Sequence, residues 1–274
     1  MEFIDGIERA TPFLLLGAGS LVIRAVLPRA GRQPFPLLRE LLLILPLVLL
    51  YFVAHGLAQV RPQEAAAHAE RLVALERALG IFREPQLQQL VLRHTLLVDL
   101  ANWNYMWGHW PVLIATIVWL GRAHPKRLVV YRNAMMLSGA IGIACFLSYP
   151  VSPPRLVTSF GFVDTIALRS HAYRALEPPS FTDVYASMPS LHVGWNLLMG
   201  IALAREGRRS AARWFGSLMP IAMYATVVVT ANHYFLDGIG GAAIVGISLF
   251  VCERLLEPAP AARATGPAAS EART

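Results

Sequence analysis

The sequence predicts an all-α, polytopic membrane helix bundle, and three observations carry that prediction. Hydrophobic residues make up 55% of the 274-residue chain and charged residues only 15%, with a mean hydropathy of +0.49. A soluble domain carries roughly 25% charged residues, so this chain lacks the polar surface to coat a globule. Apolar runs of about 20 residues, the length that crosses a bilayer, recur along the chain. The net charge of +7 is gathered in arginine clusters between those runs, as expected where loop charge sets membrane orientation. Together these exclude a nucleic-acid binder, a disordered scaffold and a two-domain cytosolic enzyme. Both cysteines, Cys145 and Cys252, lie in apolar runs, so no disulfide is expected.

The first apolar run, 11–27, reads as a spanning segment. It is not a signal peptide, because the preceding Glu2, Asp5 and Glu8 are acidic. Further spans are expected at 38–58, 100–121, 133–154, 188–204, 213–232 and 235–252. Between them, 59–99 mixes Glu70, Arg71, Glu76, Arg77, Arg83 and Glu84 with Leu72, Val73, Leu75, Leu79 and Ile81. That spacing predicts an amphipathic helix lying at the interface. Trp103, Trp107 and Trp110 read as an aromatic interface belt. The tail 257–274, rich in Ala and Pro, is expected to be disordered. Three regions follow: an N-terminal segment 1–36, a transmembrane domain 37–256 and the tail.

The basic residues are 23 Arg and one Lys, Lys126. With the N-terminus outside, the inner face receives 15 of them, in tight clusters such as Arg205, Arg208, Arg209 and Arg213. The outer face receives nine, interleaved with Glu. The bias predicts an extracytoplasmic N-terminus and a cytoplasmic C-terminus.

Ionisable groups at span ends are functional candidates because they are expensive there. Three clusters stand out: Tyr149-Pro-Val-Ser-Pro-Pro-Arg155, Ser187-Met-Pro-Ser-Leu-His192 and Asn232-His233-Tyr-Phe-Leu-Asp237. Alternating the chain through the membrane brings all three to one face, the outer one in the preferred orientation. His233 and Asp237 are four residues apart and share a helix face. The aspartate can accept from one imidazole nitrogen, fix the tautomer and leave the other as nucleophile or base. His192 would be the second half of an acid/base pair. Pro189 suits an opening helix turn with Ser187 or Met188 near the cap. Free N–H groups there, with the Ser190 hydroxyl, make an anion seat. Arg155 can fork onto two phosphate oxygens. Ser190 also has a simpler use as a helix cap, and Arg155 as a snorkelling side chain. The set suits phosphoryl chemistry. A two-His-one-carboxylate metal site and a Ser–His protease are weaker readings, since HExxH and cysteine clusters are missing.

These residues resemble the type 2 phosphatidic acid phosphatase superfamily. Ser187–His192 and His233–Asp237 resemble its second and third signature motifs. The run 149–155 is similar to the first motif of the inositol phosphorylceramide synthase-like, or inositolphosphotransferase, branch. Glu76-Arg77, Leu79-Gly-Ile-Phe82, Glu84, Leu87-Gln88, Asn104-Tyr105, His109 and Pro111 are similar to that branch as well. The resemblance covers roughly residues 70–250. It implies a six-helix phosphatase-type core, with 11–27 as an extra N-terminal span. By the same resemblance His233 is the nucleophile that becomes a phosphohistidine, Asp237 its orienting partner, and His192 the proton donor and acceptor. Arg155 and Ser190 would hold phosphate oxygens, with no metal and no other cofactor. A substrate pocket is expected near Tyr149, Asn104, His109 and Asn232.

Two departures from the phosphatase pattern matter. The lysine expected seven positions before Arg155 is Ser148, and Val227 and Val228 stand where Ser-Arg would precede the third motif. A phosphomonoester dianion wants more cations than this site holds. The expected activity is therefore transfer of a phospho-headgroup from a phospholipid donor to a lipid or polyol alcohol acceptor at the outer face of the cell membrane. The alternative of the same fold is a lipid phosphate phosphatase acting on a phosphomonoester such as phosphatidic acid. A non-catalytic lipid-binding or transport protein is the reading from another class, but no symmetric halves support it.

Overall fold

The computed structural model describes residues 61–169 and 185–256. The expected spans 11–27 and 38–58, the middle of the 150–186 loop and the tail 257–274 lie outside the described residues. Within them the regular structure is helical apart from one parallel bridge, Val151 to Ala186. The helices are α1 (Pro62–Ala78), α2 (Glu84–Leu92), α3 (Thr95–Trp107), α4 (Trp110–Ala123), α5 (Pro125–Ser148), α6 (Thr165–Arg169), α7 (Leu191–Glu206), α8 (Ser210–Val229) and α9 (Phe235–Leu256).

Three of them, α5, α8 and α9, are long and apolar enough to cross a membrane. The chain is a multi-pass helical membrane protein. α7 stands between α8 and α9, and α9 also packs on α5. The crossings are close because the contact residues are small. A Cβ at Gly241 of α9 would lie 2.0 Å from the Ser190 carbonyl oxygen, and one at Gly194 of α7 would lie 2.8 Å from that of Gly241. The start of α7 is thereby pressed against the first turns of α9. At the other end Arg127 of α5 meets Glu206 of α7 at 2.7 Å and Glu253 of α9 at 3.4 Å, while Arg205 meets Glu253 at 2.8 Å. The Tyr131 hydroxyl donates to Glu206 at 3.1 Å.

Three expectations need correction. The span 100–121 is two helices, broken at Gly108 and His109. Pro111 is the cause: it lacks an N–H, and in a continuous helix its ring would clash with the Trp107 carbonyl. The stretch 59–99 is likewise not one helix. α1 ends at Gly80, whose φ of +72° suits a glycine that closes a helix, and Pro85 opens α2. Third, Pro189 is not in the first turn of α7. It precedes Ser190, which is the N-cap, and Ser187 and Met188 belong to the incoming loop.

At 16 residues α7 extends only about 24 Å, short of the roughly 30 Å hydrocarbon core. The loop before it must stay satisfied at depth. Val151 N donates to the Tyr185 carbonyl at 2.9 Å, and Ser187 N to the Val151 carbonyl at 3.2 Å.

Candidate active site

The site forms where α7 begins and the α8–α9 turn folds against it. The turn leaves α8 through Ala231, whose φ of +57° lies in the left-handed region uncommon for a residue with a side chain. Asn232 N and His233 N then return to the Val227 carbonyl at 3.0 and 3.1 Å. His233 is 7% exposed. Its Nδ1 lies 2.8 Å from the Ser187 carbonyl and 3.4 Å from Asp237 Oδ2. A carbonyl can only accept, so Nδ1 carries the proton and Nε2 keeps its lone pair. The tautomer expected to depend on Asp237 is thus set first by the Ser187 carbonyl.

Asp237 is fully buried. Its Oδ2 accepts from the Ser187 hydroxyl, and from Tyr234 N at 2.9 Å. Ser187 therefore touches both partners: its carbonyl holds the imidazole and its hydroxyl the carboxylate. Ser190 N donates to the Asp237 carbonyl at 2.8 Å, and its side chain caps α7 through Val193 N at 3.4 Å. The hydroxyl expected in the anion seat is engaged as the helix cap.

His192 faces His233 with ring centroids 6.0 Å apart. Among the described residues its ring nitrogens make no hydrogen bond. The ring is held between Tyr105, stacked at 4.9 Å, and His109 at 4.4 Å. Arg155 arrives from the proline-rich loop. Its N donates to the Ala231 carbonyl at 2.9 Å, and its Nη1 to Asn232 Oδ1. Its Nε lies 3.9 Å from Asp164. The three sequence clusters thus converge. Asn232 completes the turn by donating to the Thr230 hydroxyl at 2.8 Å.

The other expected pocket residues divide. His109 lies against His192. Asn104 donates to the Thr226 hydroxyl at 2.8 Å and ties α3 to α8. Tyr149 stacks on His68 of α1 at 3.6 Å rather than on the histidine pair.

Sequence reasoning missed the roles of Glu76 and Glu84. Three buried carboxylates cap the start of α9, one N–H each: Asp237 takes Tyr234 N, Glu84 takes Phe235 N at 3.0 Å and Glu76 takes Leu236 N at 2.8 Å. Burial, then the hydrogen bond with Glu84, push the Glu76 carboxyl up to about 9, and the charges of Glu84 and Asp237 push the same way. Gln88 adds a clamp: its amide donates to the Val163 and Val229 carbonyls and accepts from Val163 N. The α1–α2 pair is thus a brace for the His233 turn. The available signal was carboxylates on an otherwise apolar face. Among the described residues no group of three His, Cys, Asp or Glu is arranged to hold a metal ion.

Residues 70–251 match the model of the PAP2 superfamily. The inositol phosphorylceramide synthase catalytic subunit aur1 of Schizosaccharomyces pombe is 27% identical over 181 residues, covering 60% of this chain and 42% of that protein. This chain thus matches less than half of that relative's length. No solved structure matches the chain. With that family match spanning all three converging clusters, the chain belongs to the PAP2 superfamily.

Proposed function

We propose that the protein is a membrane lipid phosphotransferase, moving a phospho-headgroup from a phospholipid donor to an alcohol acceptor through a phosphohistidine. The observation that carries this is the His233 tautomer: Nδ1–H on the Ser187 carbonyl leaves the Nε2 lone pair at the mouth shared with His192. Nε2 attacks phosphorus, and the bond to the donor's alkoxide oxygen breaks. His192, protonated at that point, gives its proton to the leaving oxygen. It then takes the proton of the acceptor hydroxyl, whose oxygen attacks phosphorus and frees His233. Asp237 opposes the positive charge that develops on the His233 ring. Arg155 binds non-bridging oxygens, and Ser190 acts through the α7 N-terminus that it caps. No step calls for a metal. Tyr149, Asn104, His109 and Asn232 border or brace the pocket.

Phosphodiester donors are favoured because Arg155, already shared with Asn232 and near Asp164, is the cation of its cluster. A monoanion needs less compensation than a dianion. The relation to a synthase catalytic subunit agrees with transfer. The topology argued from the arginines puts the site at the extracytoplasmic face of the cell membrane.

The test uses purified protein with EDTA, offered phosphatidic acid, or phosphatidylinositol with and without alcohol acceptors, beside H233A. A new phosphodiester that requires the added alcohol and vanishes in H233A supports the transferase. Free phosphate from phosphatidic acid at a higher rate would make it a phosphatase.

A further inference from the structure

His109 and Asn196 are both buried, and the hydrogen bond between them has a definite sense. Asn196 Nδ2 lies 2.9 Å from the His192 carbonyl and 2.7 Å from His109 Nδ1. The His192 carbonyl only accepts, so the amide must present its NH₂ group there. Turning the amide over would set oxygen against oxygen at 2.9 Å. The same NH₂ group therefore donates to His109, and Nδ1 is an acceptor. In the neutral imidazole the proton then sits on Nε2. The arrangement leaves Asn196 Oδ1 buried with no partner among the described residues, a cost that a merely structural asparagine has no reason to carry.

The ring is also fixed in space. His109 stands at the break before α4, stacked on Trp195 at 6.1 Å and 8°, and against His192 at 4.4 Å. It is 3% exposed. Among the described residues no acceptor takes its Nε2–H. An oriented donor on a nearly buried ring, with no acceptor among the described residues and beside the ring of His192, is placed for an acceptor that arrives with the substrate.

We propose that His109 is a third histidine of the site, held by Asn196 as the Nε2–H tautomer to give an uncharged hydrogen bond to a phosphate oxygen of a phosphodiester. This rests on the phosphotransferase reading and deepens it. A neutral donor matches a monoanion, and it supplies by hydrogen bonding what a site with few cations does not supply by charge.

Four variants test it. Glutamine places an amide N–H near the imidazole Nε2, so H109Q keeps the donor and H109F removes it. In N196D the carboxylate accepts from His109 and drives the proton to Nδ1, leaving Nε2 without one. The double variant H109Q/N196D has no tautomer to invert. H109F and N196D are expected to lower the transfer rate by about 10²-fold, the usual effect of losing one such donor. H109Q and the double variant should recover most of that loss. If H109Q is as slow as H109F at an unchanged melting temperature, the donor role is overturned. If N196D matches wild type, the tautomer role is overturned. Two readouts work without turnover. ¹⁵N-histidine NMR should show His109 protonated at Nε2 in wild type. Calorimetric titration with dioctyl phosphate, a phosphodiester monoanion, should show about tenfold weaker binding to H109F than to wild type or H109Q. Wild type that binds dioctyl phosphate in this pattern and transfers nothing would sink the transferase reading and keep His109. Equal binding by wild type and H109F, with Nδ1 protonated, would sink His109 alone.

Discussion

Ser187 holds His233 chiefly through its carbonyl and Asp237 through its hydroxyl, which also lies 3.4 Å from His233 Nδ1, and one substitution removes the hydroxyl alone. S187A keeps the carbonyl that holds His233 Nδ1 and removes the hydroxyl from Asp237 Oδ2. A buried carboxylate losing one of two donors is expected to cost about 1–3 kcal/mol, read as a lower melting temperature, with the imidazole still oriented. Transfer should fall modestly. D237N goes further, because the charge that balances the His233 cation is gone. Its transfer rate is expected to fall by at least about 10²-fold, with a smaller effect on donor KM, which steady-state kinetics would check. The candidate site residues stood out in the sequence because ionisable groups are conspicuous in apolar runs. Ser187 was legible only as part of a motif. Its dual contact depends on the chain reversal at Ala231, which no local pattern announces.

Among the elements, α1 and α2 differ most from the sequence expectation. Read as an interfacial helix, they turn out to brace α9 from positions 160 and 151 residues away. Contacts at that separation leave no periodic trace, whereas Gly80, Pro85 and Pro111 mark two of the helix breaks in the sequence itself, and the break at Arg93 and His94 carries no such mark. The brace has a pH signature. Glu76 titrates near 4.5 when unfolded and near 9 when folded, so between those values the folded state holds the extra proton. Its contribution is fully present below 4.5 and fades as pH rises toward 9. Thermal stability should therefore decline across that interval, and E76Q, which imitates the protonated carboxyl, should flatten the decline. A decline unchanged in E76Q would contradict this assignment. The α7–α9 crossing gives a second test. G241A places a methyl against the Ser190 carbonyl, which is expected to cost about 1–3 kcal/mol. Because it pushes the helix bearing His192 away from α9 and from the His233 turn that precedes α9, transfer should suffer more than stability, as comparison of rates with melting curves would reveal.

At the scale of the whole molecule, α5 joins two chemically different ends. Its 24 residues extend about 36 Å, from the Arg127 network to Tyr149 and the proline-rich loop. Lys126, exposed at the network end, is the chain's only lysine. In sealed right-side-out vesicles a membrane-impermeant amine reagent should leave Lys126 untouched, and permeabilisation should expose it, as peptide mass spectrometry would read. Labelling of intact vesicles would reverse the orientation drawn from the arginines. The helical membrane bundle was legible because hydropathy is a sum over many residues. Which helix touches which was not, since it depends on single small residues such as Gly194 and Gly241.

Trp195 carries the last consequence. Its indole lies flat against His109 and donates to the Ser138 hydroxyl at 3.2 Å, bridging α7 to α5 beside the histidines. Tryptophan emission responds to nearby charge, and an anion seated next to His109 changes the field across that ring. If the proposed anion sits there, the protein contains its own optical gauge of occupancy: with the other five tryptophans replaced by phenylalanine, the colour of Trp195 would report a filled site before any product has formed.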